Sequence, residues 1–312
     1  MLRKPKQTLG GSPVLNRMRL PVAPRQQPEK WPRPLVIFDV SYLAHRAKWA
    51  TSPLQHDGRP TGVLFGVMNQ INKIRRLFPS NSALVFAWDS IVSLRREIFP
   101  EYKAARKKTN TPEELKLKEE FFQQMNILRP KVMEPMGFIY HIERRGYEAD
   151  DGIASLVEWG HARPRIGKIW IVSADNDLFQ LLDRATLYRP NKQRNYTMMD
   201  LYKEYGLTPE GWAMATAIAG THNGVPGVES VGIKTAAAYV SGDRVSPAKR
   251  HAIEEAEKNG LVRRNLRLIK LPYNGVRLVP SGFAPTAFKL NEESLDYLHE
   301  KFGFNFRLEE WA

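Results

Sequence analysis

Residues 35–40 read LVIFDV, a short apolar run rich in β-branched residues that contains one aspartate. Residues 83–89, 137–142 and 168–173 have the same character, and helical patterns separate them from one another. Short apolar runs of this kind are typical of strands that are buried on both faces. The pattern therefore predicts an α/β fold with a mostly parallel central sheet and helices on both faces.

The composition excludes several classes of protein. The chain has 312 residues, no cysteine, and 47 Lys+Arg against 33 Asp+Glu, which gives a net charge of +14. Without cysteine there are no disulfides, iron–sulfur clusters or thiol catalysis. No apolar run reaches the ~18 residues of a membrane span, and no secretory signal is recognisable. We expect a cytoplasmic protein with a polyanionic partner and no membrane contact.

The chain divides by composition into three regions. Residues 1–34 hold eight Lys/Arg, one Glu and seven Pro, which predicts a disordered basic tail. This tail is either inert or a tether that adds affinity for phosphates. An α/β core is expected at 35–205, followed by a helical module at 206–312.

Acidic residues follow the predicted strands and open one predicted helix. The seven candidates are Asp39, Asp89, Glu148, Asp150, Asp151, Asp175 and Asp177. The carboxyl ends of parallel strands meet at one edge of a sheet, so we expect these side chains to lie together. On the helix, Glu148 and Asp151 share a face and Asp150 points elsewhere.

Each of these acids alone has a structural explanation as a helix cap or as a charge favoured by the helix dipole. Together they must raise their pKa values or bind cations. Oxygen ligands without cysteine select Mg²⁺, Mn²⁺ or Ca²⁺ over zinc. On a basic protein, such a cluster indicates phosphodiester hydrolysis by water activated between two ions ~3.5–4 Å apart.

The motifs around these acids resemble the structure-specific 5′-nuclease family. That family includes phage 5′–3′ exonucleases, flap endonucleases and the 5′-nuclease domain of bacterial DNA polymerase I. IFDVSYLAHR carries the family's first metal aspartate, Asp39, and its phosphate-contacting arginine, Arg46. VFAWD, EADD and SADNDLFQLL match the later acidic motifs in order. The resemblance covers residues 35–238 and implies the PIN-like core of these nucleases.

The segment LRREIFPEYKAAR resembles the family signature F-R-x(4)-P-x-Y-K-x-x-R. Its basic and aromatic residues alternate in a way that suits single-stranded nucleic acid. The resemblance implies a helical arch at about residues 95–130, in which cations stabilise charge on the scissile phosphate. It assigns catalytic roles to Lys103, Arg106 and Arg46, and DNA contacts to Arg95 and Tyr102.

A glycine-rich stretch at about residues 219–239 resembles the family's helix–hairpin–helix, P-G-x-x-G-x-G-x-K-T. The resemblance implies that Gly227, Gly232 and Lys234 bind duplex DNA and that backbone carbonyls hold a K⁺ ion. A phosphate-binding P-loop is the weaker alternative, because Ile233 separates the glycine from the lysine.

At the start of this stretch, before Pro226 and Gly227, the chain departs from the family. Relatives read G-D-x-x-D-N-I, and this chain has Gly220 and Asn223 at the two aspartate positions. The resemblance therefore implies two Mg²⁺ or Mn²⁺ ions, with the second bound weakly. The first ion is assigned to Asp39, Asp89, Glu148, Asp150 and Asp151. The second is assigned to Asp175 and Asp177 with Asn223.

The expected function is that of a metal-dependent 5′–3′ exonuclease/flap endonuclease. It would cut DNA, and RNA–DNA hybrids, near 5′ ends, flaps or nicks and leave a 5′-phosphate and a 3′-hydroxyl. The resemblance further implies a monomer that meets replication proteins, in the host cytoplasm if the chain comes from a bacteriophage. Two alternatives are a nucleic-acid-binding protein that has lost catalysis and a PIN-type ribonuclease. Retention of all seven acids argues against the first alternative. The glycine-rich stretch at 219–239, called the glycine turn below, and the basic segment of the arch at 95–130 argue against the second.

Overall fold

The computed structural model describes residues 32–51, 53–104, 111–221 and 224–311. Nearly all of the basic tail lies outside the described residues, as do Arg106 and Asn223.

The centre of the molecule is a six-stranded sheet in the order β5-β4-β1-β6-β7-β8. Five strands are parallel, and β8 pairs with β7 in the antiparallel sense. This confirms the predicted fold class. The strands of the sheet are β1 (Arg33–Asp39), β4 (Ala83–Ala87), β5 (His141–Ile142), β6 (Ile166–Val172), β7 (Thr186–Arg189) and β8 (Arg194–Tyr196). Two-residue strands form two small hairpins: β2 (Gln55–His56) with β3 (Arg59–Pro60), and β9 (Gly220–Thr221) with β10 (Val225–Pro226).

Helices connect and cover the strands. In chain order they are α1 (Val40–Thr51), α2 (Gly62–Arg75), α3 (Arg95–Ile98), α4 (Pro112–Ile127), α5 (Ala149–His161), α6 (Met198–Tyr205), α7 (Pro209–Ala219), α8 (Ile233–Val240), α9 (Pro247–Lys258), α10 (Leu261–Ile269), α11 (Glu293–Phe302) and α12 (Leu308–Trp311). A π-helical turn, Leu128–Met133, extends α4, and the 3-10 turns are Asn176–Leu181 and Tyr273–Gly275. Among the described helices, none is both long and apolar enough to cross a membrane.

The two faces of the sheet bury two hydrophobic cores. Alternate residues of β1 enter opposite cores, Leu35 and Ile37 on one face and Val36 and Phe38 on the other, as the strand period of two requires. The C-terminal part of the chain contributes to both cores: α7, α8 and α10 pack on the first face, and Trp311 is buried on the second. Residues beyond 206 therefore share their cores with the sheet, and the three-region division stays a sequence-based prediction.

Candidate metal centre

A cleft of about 670 Å³ opens at the carboxyl ends of the central strands. Six of the seven predicted acids line it, which is the juxtaposition expected where parallel strands end. These acids are Asp39, Asp89, Glu148, Asp150, Asp175 and Asp177.

Three of these acids form the tightest group. Asp150, Asp175 and Asp177 each place one carboxylate oxygen within 4.8 Å of the others. Asp150 comes from the first turn of α5, and Asp175 follows β6 and accepts a 2.8 Å hydrogen bond from the backbone N–H of Asp177. The sequence assigned Asp150 to one ion and Asp175 and Asp177 to another. The structure instead groups all three, and we call them the three-carboxylate group.

The strand-end aspartates are oriented by the elements that follow. Asp39 accepts hydrogen bonds from the backbone N–H of Tyr42 at 2.9 Å and from the hydroxyl of Ser173 at 2.8 Å. Asp89 accepts one from the backbone N–H of Ala149 at 2.8 Å. Sequence analysis did not single out Ser173, although it directly precedes the ADND stretch. Its hydroxyl fixes the direction in which Asp39 faces the cleft.

The acids are electrostatically strained against one another. Burial and the charge of Asp89 raise the pKa of Asp39 to about 7, and burial and Asp175 raise that of Asp177 to about 7. Burial is the main cause that raises the pKa of Asp150 well above its usual range, and the negative charge of Asp175 is the next. A divalent cation would relieve this repulsion. The donor set, carboxylate oxygens without sulfur, fits a hard ion such as Mg²⁺ or Mn²⁺.

The ammonium group of Lys103 reaches into the acid cluster. The Nζ atom of Lys103 lies 2.9 Å from Oε1 of Glu148, and Lys103 lines the cleft. Burial opposes ionisation of Glu148, but Lys103 and Arg95 outweigh it and lower the pKa of Glu148. Lys103 has a φ of 58°, a left-handed conformation that costs a non-glycine residue roughly 1–3 kcal/mol. The fold holds this ammonium group beside the acids despite that cost.

Tyr102 does not take the predicted role. Its side chain is 6% exposed, and its hydroxyl donates a 3.0 Å hydrogen bond to Oε2 of Glu148. The ring belongs to the hydrophobic core and is not available to stack on a base. The prediction that Tyr102 contacts DNA is therefore wrong.

Asp151 and Arg95 form an internal ion pair. The guanidinium of Arg95 donates to both carboxylate oxygens of Asp151, at 2.7 and 2.9 Å, and to the carbonyl of Leu268. Asp151 also accepts from the backbone N–H groups of Glu148 and Tyr273, and it is fully buried. The prediction of a metal ligand at Asp151 and the prediction of a DNA contact at Arg95 are both wrong, because each side chain is occupied by the other.

Among the described residues, the other predicted catalytic cation is Arg46, and it does not line the cleft. Arg46 is exposed on α1 and donates a 3.1 Å hydrogen bond to Gln70. Its contact with a phosphate stays a prediction. Arg106 lies outside the described residues.

The far wall of the cleft comes from the C-terminal helices and the β9 hairpin. Tyr205, Trp212, Thr216 and Thr221 line it. Within the described part of the chain, the buried hydroxyl oxygen of Thr221 has no hydrogen-bond partner. Sequence analysis missed these residues because aromatic and hydroxyl residues in helices and strands resemble ordinary core residues.

The glycine turn explains one departure from the family. Gly220 has a φ of 77°, and a Cβ atom there would lie 2.4 Å from the backbone nitrogen of Gly227. A Cβ on Gly227 would lie 2.1 Å from the carbonyl oxygen of Ala219. The close approach of these backbones excludes an aspartate at position 220. Gly232 caps α8 and Lys234 is exposed, so both are placed where the predicted DNA contact is possible, and that contact stays a prediction.

The raised pKa values predict a pH-dependent stability. In the metal-free protein, Asp177 has a pKa of about 7 against an ordinary 3.8. Folding therefore favours its protonated form, and this group's contribution to stability is lost as pH rises from about 4 to about 7. Asp177→Asn stays neutral, so we expect its unfolding free energy, relative to wild type, to increase over that range. Urea denaturation in EDTA measures this difference, and a difference independent of pH would contradict it.

Comparison with known proteins identifies the family. The family model described as the 5′-3′ exonuclease N-terminal, resolvase-like domain matches residues 34–206, more than half of the chain. The chain therefore belongs to the 5′–3′ exonuclease family, a family of nucleases, as the sequence motifs predicted.

Individual relatives agree with this assignment. DNA polymerase I of Deinococcus radiodurans is 31% identical over 220 residues, which cover 70% of this chain and 22% of the polymerase. DNA polymerase I of Mycobacterium tuberculosis is 30% identical over 289 residues, covering 86% of this chain and 30% of the polymerase. The chain thus spans less than a third of these relatives.

Solved structures share the fold. The flap endonuclease of bacteriophage T5, in a complex with DNA and metal ions, superposes with a TM-score of 0.64 at 24% identity, covering 77% of this chain and 90% of that one. Flap endonuclease-1 from Methanococcus jannaschii gives a TM-score of 0.57 at 14% identity, covering 88% of each chain.

Proposed function

We propose that this protein is a divalent-metal-dependent 5′–3′ exonuclease/flap endonuclease that acts on DNA. The observation that carries the proposal is the cleft itself, in which six carboxylates and the ammonium group of Lys103 converge at one edge of the sheet. An uncompensated acid cluster disfavours folding, so its presence supports retained catalysis over the alternative of a binding protein that has lost its chemistry. Family membership favours this function over that of a PIN-type ribonuclease.

The residues divide the work as follows. The three-carboxylate group would hold one ion, and Asp39 and Asp89 add negative charge beside it. Bound divalent ions supply activation of water and neutralisation of phosphate charge. Ser173 keeps Asp39 oriented. The ammonium group of Lys103, which pairs with Glu148, is placed to donate a hydrogen bond to a phosphate oxygen of the substrate.

We further propose that a second ion binds more weakly than the first. Gly220 offers no side chain to the cleft, and its backbone setting excludes one. Asn223, outside the described residues, replaces an acid with a neutral amide. Each missing carboxylate removes an attraction to a divalent ion of about 8 kcal/mol at 4 Å and an effective dielectric of 20, before desolvation is subtracted.

Finer assignments follow from the same proposal. The working ion would be Mg²⁺, with Mn²⁺ as a substitute, and a K⁺ ion would sit at the glycine turn. Arg46, Arg106, Gly227, Gly232 and Lys234 would contact DNA. The proposal extends to RNA–DNA hybrids as substrates, a replication protein as partner and action in the cytoplasm; the kinship with DNA polymerase I supports a role in DNA replication.

Lys103→Ala should slow cleavage of bound substrate by roughly 100-fold and weaken binding far less. The reason is that a charge aimed at the scissile phosphate acts mainly in the transition state. Single-turnover rates at saturating enzyme, compared with affinities from fluorescence anisotropy, separate the two effects. Lys234→Ala is the matched control on the glycine turn and should do the reverse. Equal effects of both variants on rate and affinity would contradict this division.

The function is tested directly with a duplex that carries a labelled 5′ flap and a partner duplex that carries the same sequence as a 3′ flap. With Mg²⁺, the 5′ flap should be cut near its junction to leave a 5′-phosphate and a 3′-hydroxyl, and EDTA should stop the reaction. The 3′ flap should stay intact. Absence of cleavage, or equal cutting of both flaps, would contradict the proposed function.

A further inference from the structure

Helix α10 has an outer face made of cations. Arg263 and Arg267 lie one turn apart, and Lys270 follows directly after the helix, so spacings of four and three residues place all three on one side. All three are exposed, whereas Val262 and Leu268 are buried on the opposite side. Among the ion pairs formed by residues that the structure describes, none involves these three cations. We call them the α10 strip.

The inner face of α10 lies beside the metal centre. Leu268 and Ile269 line a small cavity together with Arg95, Asp150 and Asp177. The carbonyl of Leu268 accepts a 2.8 Å hydrogen bond from Arg95. A helix with its side chains is about 10–12 Å across. The α10 strip is therefore about one helix diameter from the carboxylates, close enough to hold a molecule that also enters the cleft.

Helix α10 is fixed to the glycine turn. Asn265 is fully buried, and its amide donates to the carbonyls of Ala217 at 2.9 Å and of Pro226 at 2.8 Å. Arg264 donates to Asn265 at 2.9 Å and covers the ring of Phe99. These contacts hold the outer face of α10 in a constant position relative to both the turn and the segment that leads to Lys103.

We propose that the α10 strip binds the phosphate backbone of double-stranded DNA, outside the cleft and next to the glycine turn; the inference rests on the proposed function. At 1.5 Å per residue, the strip is about 10 Å long. One strand of a duplex carries a phosphate every ~3.4 Å of axis, so the three cations match two or three phosphates. The outer face holds cations only, whereas single-strand sites also present aromatic rings for stacking. Duplex is therefore the favoured partner.

The test uses the full chain with Arg263→Ala, Arg267→Ala and Lys270→Ala combined. Binding to a blunt duplex is measured by fluorescence anisotropy in EDTA across a salt series. The slope of log affinity against log salt should fall by about 1.8 to 2.7, which is 0.9 for each of two or three lost contacts, and affinity at ~0.1 M salt should drop roughly 100-fold. The single-turnover rate on a 5′ flap at saturating enzyme should stay within about twofold of wild type, because the strip does not touch the scissile phosphate.

The matched control removes Arg163, Arg165 and Lys168, which are exposed beside the amino end of β6, at the opposite edge of the sheet. This control loses the same three positive charges as the α10 variant, and it should keep the wild-type slope. If the α10 variant keeps the wild-type slope, falls no further than the control, or loses as much affinity for single-stranded as for duplex DNA, the proposal is wrong. Arg267→Ala alone, with an expected slope change of about 0.9, gives the same answer if the triple variant does not fold. If the wild-type protein does not cut the flap, the proposed function is wrong. The salt slopes still test the α10 strip in that case, because they measure duplex binding without metal.

Discussion

Asp150→Asn should abolish Mg²⁺-dependent cleavage, with a loss of more than about 1000-fold in single-turnover rate. This loss is larger than the roughly 100- to 1000-fold that removal of one hydrogen-bond donor to a transition state costs. Asp150 belongs to the three-carboxylate group and faces the charges of four other aspartates. The asparagine amide has the size of the carboxylate but no charge. A divalent ion bound at the three-carboxylate group would therefore lose one of its charged ligands. Affinity for a 5′-flap duplex in EDTA should be unchanged or tighter, since the substitution can only remove negative charge from the cleft in which we propose that phosphates bind.

Asp183→Asn is the matched control for this variant. Asp183 follows the turn that carries Asp177, but its exposed carboxylate pairs with Arg184 at 3.0 Å and lies outside the cleft. Its cleavage rate should stay within about twofold of wild type, as surface substitutions usually do. A rate for Asp150→Asn within about tenfold of wild type would remove the three-carboxylate group from the mechanism.

Arg95→Met should lower the free energy of unfolding by about 3–5 kcal/mol, which is typical when one partner of a buried ion pair is removed. The variant leaves the fully buried Asp151 carboxylate without its guanidinium and the carbonyl of Leu268 without its donor. Urea denaturation measures the loss.

Two further variants make this result specific. Asp151→Asn added to Arg95→Met should recover part of the lost stability, because no isolated charge then remains inside. Arg163→Met removes an exposed arginine that covers the ring of Trp159, and it should cost no more than about 1 kcal/mol. If Arg95→Met cost less than about 1 kcal/mol, the assignment of Arg95 to a buried ion pair would be wrong. The predicted DNA contact of Arg95 would then be open again.

The sheet and its acidic edge could be predicted because both depend on local patterns. The run at residues 35–40 is apolar at every position but one, and it forms most of β1, Arg33–Asp39. Once the strands are known to be parallel, topology alone brings Asp39, Asp89 and Asp175 to the same edge. No long-range information was needed for either step.

The destination of neighbouring acids could not be predicted in the same way. Glu148 and Asp151 do lie together, as helical spacing indicated, but Asp151 turns inward to Arg95, which is 56 residues away in the chain. Asp150, next to it, faces the cleft. Periodicity gives relative directions around a helix, and only the tertiary partner decides which direction is the interior.

Basic charge was misleading for a related reason. Arg95 and Tyr102 lie in a segment whose composition suits DNA binding, yet both are buried and serve Asp151 and Glu148. Conversely, α10 was not recognised, because arginines and apolar residues alternate closely within its nine residues. Composition counts cations and does not show which of them remain unpaired at the surface.

The most direct test of the account is the position of bound metal. Crystals grown with Mn²⁺ should show, in an anomalous difference map, a strong peak contacted by Asp150, Asp175 and Asp177. A second peak nearby should have lower occupancy and should fill as the Mn²⁺ concentration rises. A cleft without any peak at saturating Mn²⁺, or manganese bound only at acids outside the cleft, would contradict the assignment of this acid cluster as the catalytic metal centre.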